Sequence, residues 1–225
     1  MLSRPAPQAS GFAVLAAAMA GQPLHELCPA GPGAEAAALG FALGLARSWA
    51  GRIFWAGEAG AFAEEGAPYA PGLASFGIDP GRLTIIRAAK REDALWAAEQ
   101  ALGARGAAVL CALSGRGRAL DLKATRRLLL FAERSGARCL LLRPHAEASA
   151  AWTRWRIASA PSAAPARELG APAYALELIR SRAGPAGARF IVEWNAHECS
   201  FTERMARDRS ATPQHGPADP IRARA

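Results

Sequence analysis

From residue 24 to residue 144, short apolar runs alternate with segments of helical period, and that alternation predicts an α/β fold. The first run, LHELC (24–28), reads as a strand. A Pro/Gly turn, PAGPG (29–33), follows it, and then an Ala-rich helix over 34–49. RIFWA (52–56) is a second strand. The stretch 57–72 is rich in Gly, Ala and Pro and is expected to be irregular. A helical turn over 73–77 and a turn at Asp79-Pro80-Gly81 come next. LTII (83–86) is a third strand. Over 91–103 the period is helical, with Ala94, Leu95, Ala98 and Leu102 on one face. AAVLCAL (107–113) is apolar on both faces, as a central strand of a parallel sheet must be. Residues 114–118 then have to form a loop. Asp121 is placed to cap a helix running to Ser135, with Gly136 as its stop. Leu122, Thr125, Leu129 and Ala132 form one face of that helix; Lys123, Arg127 and Arg134 line the other, with Arg126 beside them. CLLL (139–142) is a further buried strand, ended by Pro144.

Beyond Pro144 the alternation gives way to consecutive strands. TRWRI (153–157) has period two, which points Trp155 and Ile157 to one side and Arg154 and Arg156 to the other. A Pro-rich connection over 161–172 leads to strands at 173–182 and 189–195, joined by a GPAG hairpin (184–187). Past about Glu203 the chain is polar, with Pro213, Gly216, Pro217 and Pro220, and is expected to be disordered. The expected organisation is an N-terminal segment with a short helix (1–23), one domain (24–202) and a tail (203–225).

With 51% apolar residues, a chain of 225 residues buries about 70% of its unfolded surface in one core and needs no disulfide staples. The four cysteines stand far apart, with no C-x-x-C and no His at metal spacing. Cys28, Cys111 and Cys139 lie in strand-like runs, where a thiol acts as a small hydrophobe; all four are expected to be structural thiols of a reducing compartment. The run GFAVLAAAMA (11–20) has only Arg4 before it, so it reads as a short helix of a cytoplasmic protein rather than a signal peptide. No stretch approaches the roughly 20 apolar residues of a membrane span.

The net charge of +8 is unevenly placed. Residues 1–115 hold eight basic and nine acidic side chains, whereas 116–156 hold ten basic and three acidic. Arg116, Arg118, Lys123, Arg126, Arg127 and Arg134 could contact phosphate or an acidic partner, although a charge run is more often a solvated helix face. Arg154 and Arg156, interleaved with Trp152 and Trp155, suit base stacking or an interface hot spot. Trp155 itself reads as core. The histidines are scattered, and the chain shows no catalytic triad, metal site or paired acid and base.

The turn at 29–33 sits where a nucleotide-binding strand–turn–helix would carry G-x-x-x-x-G-K-[ST]. There glycine N–H groups wrap the phosphates, Lys meets the β/γ charge and a hydroxyl holds Mg²⁺. Here the helix opens Ala34-Glu35-Ala36-Ala37, with neither Lys nor hydroxyl, and Glu35 would repel a polyphosphate. In the pattern of RecA, which residues 76–88 and 94–113 resemble, the strand VLCAL (109–113) would end in a Walker B carboxylate; it contains none. Glu58 follows the second strand, but without a phosphate cradle and a Mg²⁺ ligand it has nothing to activate.

FGIDPGRLTIIRA (76–88) and ALWAAEQALGARGAAVLCAL (94–113) resemble the segments that follow the ATP site in RecA. Several stretches more specifically resemble the ImuA family, RecA-related accessory proteins of the bacterial SOS mutagenesis cassette. They are YAPGLASFGIDPGRLTIIRA, DALWAAEQAL, DLKATRRLLLFAERSG, AWTRWRIASAPS and LELIRSRAG with VEWN, within roughly 24–195. The resemblance implies a RecA-like, mostly parallel sheet flanked by helices, ending in antiparallel strands. It implies a non-catalytic adaptor in translesion DNA synthesis after DNA damage, with no cofactor. The implied partners are an ImuB-like Y-family protein, the RecA filament and, indirectly, an error-prone polymerase α-subunit, with single-stranded DNA as a further candidate. Two other readings stay open. One is a SulA-like cell-division inhibitor that binds FtsZ, and the other is a residual ATPase with an unusual phosphate loop.

Overall fold

The strands that are apolar on both faces occupy the middle of the sheet, where both faces are covered. The computed structural model describes residues 11–114, 120–144, 147–165 and 168–204, and of residues 64 and 65 the backbone only. Arg116, Arg118, His145 and everything after Arg204 lie outside the described residues. The strands are β1 (Leu24–Pro29), β2 (Ile53–Glu58), β3 (Leu83–Ala88), β4 (Ala108–Ala112), β5 (Arg138–Leu142), β6 (Thr153–Ser159), β7 (Ala173–Ser181), β8 (Arg189–Asn195) and β9 (Ser200–Arg204). The helices are α1 (Gly11–Ala20), α2 (Glu35–Arg47), α3 (Ala59–Glu65), α4 (Ala70–Ser75), α5 (Arg91–Leu102) and α6 (Leu122–Ser135).

All nine strands form one sheet in the order β3-β2-β4-β5-β1-β6-β7-β8-β9. Pairing is parallel from β3 through to β6 and antiparallel from β6 to β9. The α/β reading, mostly parallel with antiparallel strands at the C-terminal end, therefore holds. Parallel crossovers require helices on the sheet's faces. Here α5 packs on β2, β3 and β4 and α6 on β5 and β1, while α2 packs against β1, β5 and β6 in the opposite core, which also holds Phe12 and Met19 of α1. The α6 ends match the sequence: Asp121 Oδ1 accepts from the Ala124 N–H at 2.8 Å, and Gly136 takes the left-handed conformation at φ 70°. Its buried face is Thr125, Leu128, Leu129 and Ala132. Leu122, expected on that face, is instead exposed, because the helix turns Leu128 inward.

Three elements depart from the sequence reading. The stretch expected to be irregular contains α3, and α4 begins at Ala70, ahead of the expected turn. The strand β9 has no counterpart in the sequence pattern. Its one large apolar residue, Phe201, sits among Phe12, Phe41, Tyr174 and Trp194 at ring-centre distances of 5.0 to 6.0 Å. Gly40 and Gly44 of α2 make this packing possible. A Cβ on Gly44 would lie 2.3 Å from Phe201 Cζ, and one on Gly40 would lie 2.6 Å from the Tyr174 hydroxyl. Mid-helix glycine normally costs about 1 kcal/mol relative to Ala; here it lets the aromatic rings reach the helix backbone. Replacing Phe12 by Ala is expected to destabilise the protein by about 3 kcal/mol in urea unfolding, while Val14→Ala, on the exposed side of α1, stays within about 0.5 kcal/mol.

His25 of β1 is fully buried and ties α1 to the sheet. Its Nε2 lies 3.0 Å from the Met19 carbonyl oxygen, which can only accept, so Nε2 carries the proton. Nδ1 then accepts from the Thr153 hydroxyl at 2.7 Å, and that hydroxyl accepts in turn from Trp155 Nε1 at 2.9 Å. Burial lowers the His25 pKa from its ordinary value of 6.5 to about 4. On acidification the folded state therefore takes up this proton later than the unfolded chain. Stability is full above pH 6.5 and falls as pH drops from 6.5 toward about 4, by on the order of 3 kcal/mol. Urea titrations across that window are expected to show the slope, and His25→Asn to flatten it.

Candidate functional site

In open parallel sheets ligands bind at the carboxyl ends of the strands, so the turn after β1 is the place to look. Ala30 N–H bonds the Ile157 carbonyl at 2.7 Å, Ala34 N–H bonds Gly31 O at 3.1 Å, and Gly33 turns the chain at φ 85°. The N-cap, Ala34, offers no side-chain bond, and Glu35 opens the helix. A cavity of about 380 Å³ lies beside this turn, lined by Cys28, Gly31, Pro32, Glu35, Arg154 and Arg156 among others. A Cβ at Gly31 would meet nothing within 4 Å, so the fold itself does not require glycine there. Burial pushes the Cys28 thiol up to about 11, so it is protonated at neutral pH.

Behind the cavity stands a buried ion-pair cluster. The Glu26 side chain on β1 has 0% exposure. Its Oε2 accepts from Arg154 Nε at 2.6 Å, and its Oε1 lies 2.8 Å from Arg143 Nη2 without hydrogen-bond alignment. Arg143 also donates through Nη1 to Glu147 Oε2 at 2.7 Å and through Nη2 to the Glu147 carbonyl at 3.1 Å. Arg154 reaches that same carbonyl. Two carboxylates thus face two guanidiniums, and the charge closes on itself. Arg154, read from the sequence as a surface contact, is one of these internal groups.

A second cluster occupies the ends of β2 and β4. Glu58 Oε1 accepts from Arg91 Nε at 3.2 Å and from the Ser114 N–H at 3.1 Å, and Oε2 accepts from Ser114 Oγ at 3.0 Å. Arg91 Nη2 donates in turn to the Ser114 carbonyl at 2.5 Å. The carboxylate that ends β2 is thus bonded to Ser114, two residues beyond the end of β4. Among the described residues, no group of three or more His, Cys, Asp or Glu side chains is placed to hold a metal ion.

The basic residues separate into two kinds. Lys123, Arg126 and Arg134 are exposed on α6 with no carboxylate partner among the described residues. Arg127 instead pairs with Glu99 of α5, whose side chain is only 3% exposed against 61% for Arg127. Burial raises the Glu99 pKa, and the Arg127 charge pulls it back. Arg156 is half-exposed and bonds Glu177 Oε2 at 2.8 Å, while Arg189 holds Oε1 of the same carboxylate at 2.9 Å. Hydrogen bonds from Arg189 and then Arg156 lower the Glu177 pKa. Sequence reasoning missed Arg143, Arg180 and Arg182. The available signal for the first was Glu26 itself, a carboxylate inside an apolar central strand that has to find a cation.

No protein-family profile matches the chain. It is 37% identical over 133 residues to Protein ImuA from two strains of Caulobacter vibrioides, a match that covers 53% of this chain and 53% of each relative. The chain thus spans about half the length of the curated relatives it matches, and the resemblance to the ImuA family holds over that half. A crystal structure of the RadB recombinase superposes with a TM-score of 0.54 at 12% identity, over 78% of this chain and 88% of that one. That likeness shows the fold alone: a RecA-like, mostly parallel sheet flanked by helices.

Arg126 and Arg127, adjacent in sequence, should behave differently on charge reversal. Arg127→Glu sets a carboxylate against buried Glu99 and is expected to cost about 2 kcal/mol in denaturant unfolding, whereas Arg126→Glu should stay within about 0.5 kcal/mol.

Proposed function

We propose that this relative of the ImuA proteins is a non-catalytic adaptor of SOS-induced translesion synthesis, a RecA-like fold kept for its surfaces. One observation carries the reading: the strand ends that would serve a nucleotide are given over to internal bonds. The turn after β1 has neither Lys nor hydroxyl, and Glu58 is held by Arg91 and Ser114. A phosphoryl-transfer site works by positioning and electrostatics, and needs a cradle, a metal ligand and a carboxylate free to orient water. The turn supplies no side chain for a cradle or a metal ligand, and Glu58 is held by internal bonds rather than free to orient water.

The proposed partners are an ImuB-like Y-family protein and the RecA filament, with an error-prone polymerase α-subunit reached through the first, and single-stranded DNA as a further ligand of the basic face of α6. The proposed working compartment is the cytoplasm. No helix among the described residues is long and apolar enough to cross a membrane.

Gene deletion tests this reading. Damage-induced mutation frequency should fall to the uninduced background, and both the wild-type gene and Glu58→Gln should restore it, since the Gln oxygen can still accept from the Ser114 N–H and its amide can donate to the Ser114 hydroxyl. Loss of function in a folded Glu58→Gln protein, together with measurable ATP hydrolysis by the wild type, would overturn the adaptor assignment. Filamentous growth on overexpression with mutagenesis intact in the deletion strain would point to a division inhibitor instead.

A further inference from the structure

We infer that the groove between α6 and the end of β7 docks an acidic, amphipathic segment of a protein partner. This takes the adaptor reading as its premise and names the chemistry of one bound partner.

The groove has a volume of about 660 Å³. Leu122, Arg126 and Leu130 line one wall as a stripe along α6 at four-residue spacing. Both leucines are unusually open for their type, at 49% and 40% exposure. Arg180 and Arg182, from β7 and just beyond it, form the facing wall. Their guanidiniums are fixed but not neutralised. Arg180 Nη1 donates to the Ser149 carbonyl at 2.6 Å and Arg182 Nη2 to the Ala150 carbonyl at 2.8 Å, and Arg182 also stacks on Trp152 at 5.6 Å. The floor is rigid, because Thr125 Oγ1 accepts from the Ala150 N–H at 3.1 Å and donates to Leu122 O at 3.0 Å.

The charge of the groove beside its open leucines is what identifies the occupant. Arg91, Arg127, Arg143, Arg154, Arg156, Arg189 and Arg204 each meet a carboxylate. Three arginines converge on this groove against a single lining carboxylate, Glu133. Positive charge held in place around open leucines fits carboxylates flanking apolar anchors, the pattern of a helix laid in a groove. A nucleic acid would match the charge but leave Leu122 and Leu130 without apolar partners, and the residues lining the groove offer no aromatic ring for a base to stack on.

The test uses the full chain and fluorescence anisotropy with three labelled probes. They are a synthetic peptide of Glu, Asp and Leu with its leucines on one helical face, an isomer with the leucines dispersed, and an oligothymidylate of similar charge. The amphipathic peptide should bind about tenfold tighter than its isomer, and Arg126→Glu and Leu130→Ser should each weaken it by about tenfold at unchanged Tm. Equal binding of the two peptides, no saturable peptide binding, or tighter oligothymidylate binding that survives Leu130→Ser would overturn the proposal. A deletion strain with normal mutagenesis would remove the adaptor reading and leave this measurement standing, so the two can fail separately.

Discussion

A carboxylate cannot be left alone in the middle of a central strand. Glu26 is fully buried on β1, and an isolated charge there would cost several kcal/mol after relaxation. The fold answers with Arg154 from β6 on one side and Arg143 from just after β5 on the other. These are the two strands that flank β1. The cluster therefore joins the last parallel strands to the first strand of the antiparallel ribbon. The placement of β6, and through it of β7, β8 and β9, depends on that joint as much as on the apolar packing of Trp155 and Ile157 beneath it.

The same demand for charge balance governs the surface. Carboxylates are fewer than guanidiniums in this chain. Glu26, Glu177 and Glu193 within strands, Glu58 at the end of β2 and Glu99 on α5 are all engaged in internal pairs. Five of the basic residues without a carboxylate partner among the described residues, Lys123, Arg126, Arg134, Arg180 and Arg182, lie on α6 and along the groove to β7; others, such as Arg82, Arg87 and Arg138, turn to carbonyls or aromatic rings elsewhere. The two arginines that border the pocket beside Gly31 are already engaged, Arg154 with Glu26 and Arg156 with Glu177. A surface with uncommitted charge lies on the side of α6, where Arg126, Arg180 and Arg182 line one groove.

Much of the scaffold was legible because local chemistry and global position agree. β4 and β5 are apolar on both faces and lie at the centre; Asp121 and Gly136 bracket α6 as their side chain and backbone freedom require. The candidate site was legible only in part. Strand alternation correctly set Trp155 inward, but it also set Arg154 on the opposite face, where a surface role looked natural. That second face of the sheet is covered too, and Glu26 lies there. Period two says which face a side chain takes, not whether that face is covered. Arg127 stands on the exposed face it shares with Lys123 and Arg134, as helical spacing gives it, but spacing does not show that α5 brings Glu99 beside it.

Period, turn residues and residue type act over a few positions of chain. They suffice for the order of elements, the parallel-then-antiparallel character of the sheet and the chemistry missing from the turn at 29–33. Only the folded molecule makes Ser200–Arg204 a strand, since a single Phe201 specifies it through rings contributed by α1, α2, β7 and β8. Only there, too, do the internal arginines separate from the surface ones. Pairing depends on charges brought together across 28 to 128 positions of chain, and no local pattern encodes a distance of that kind.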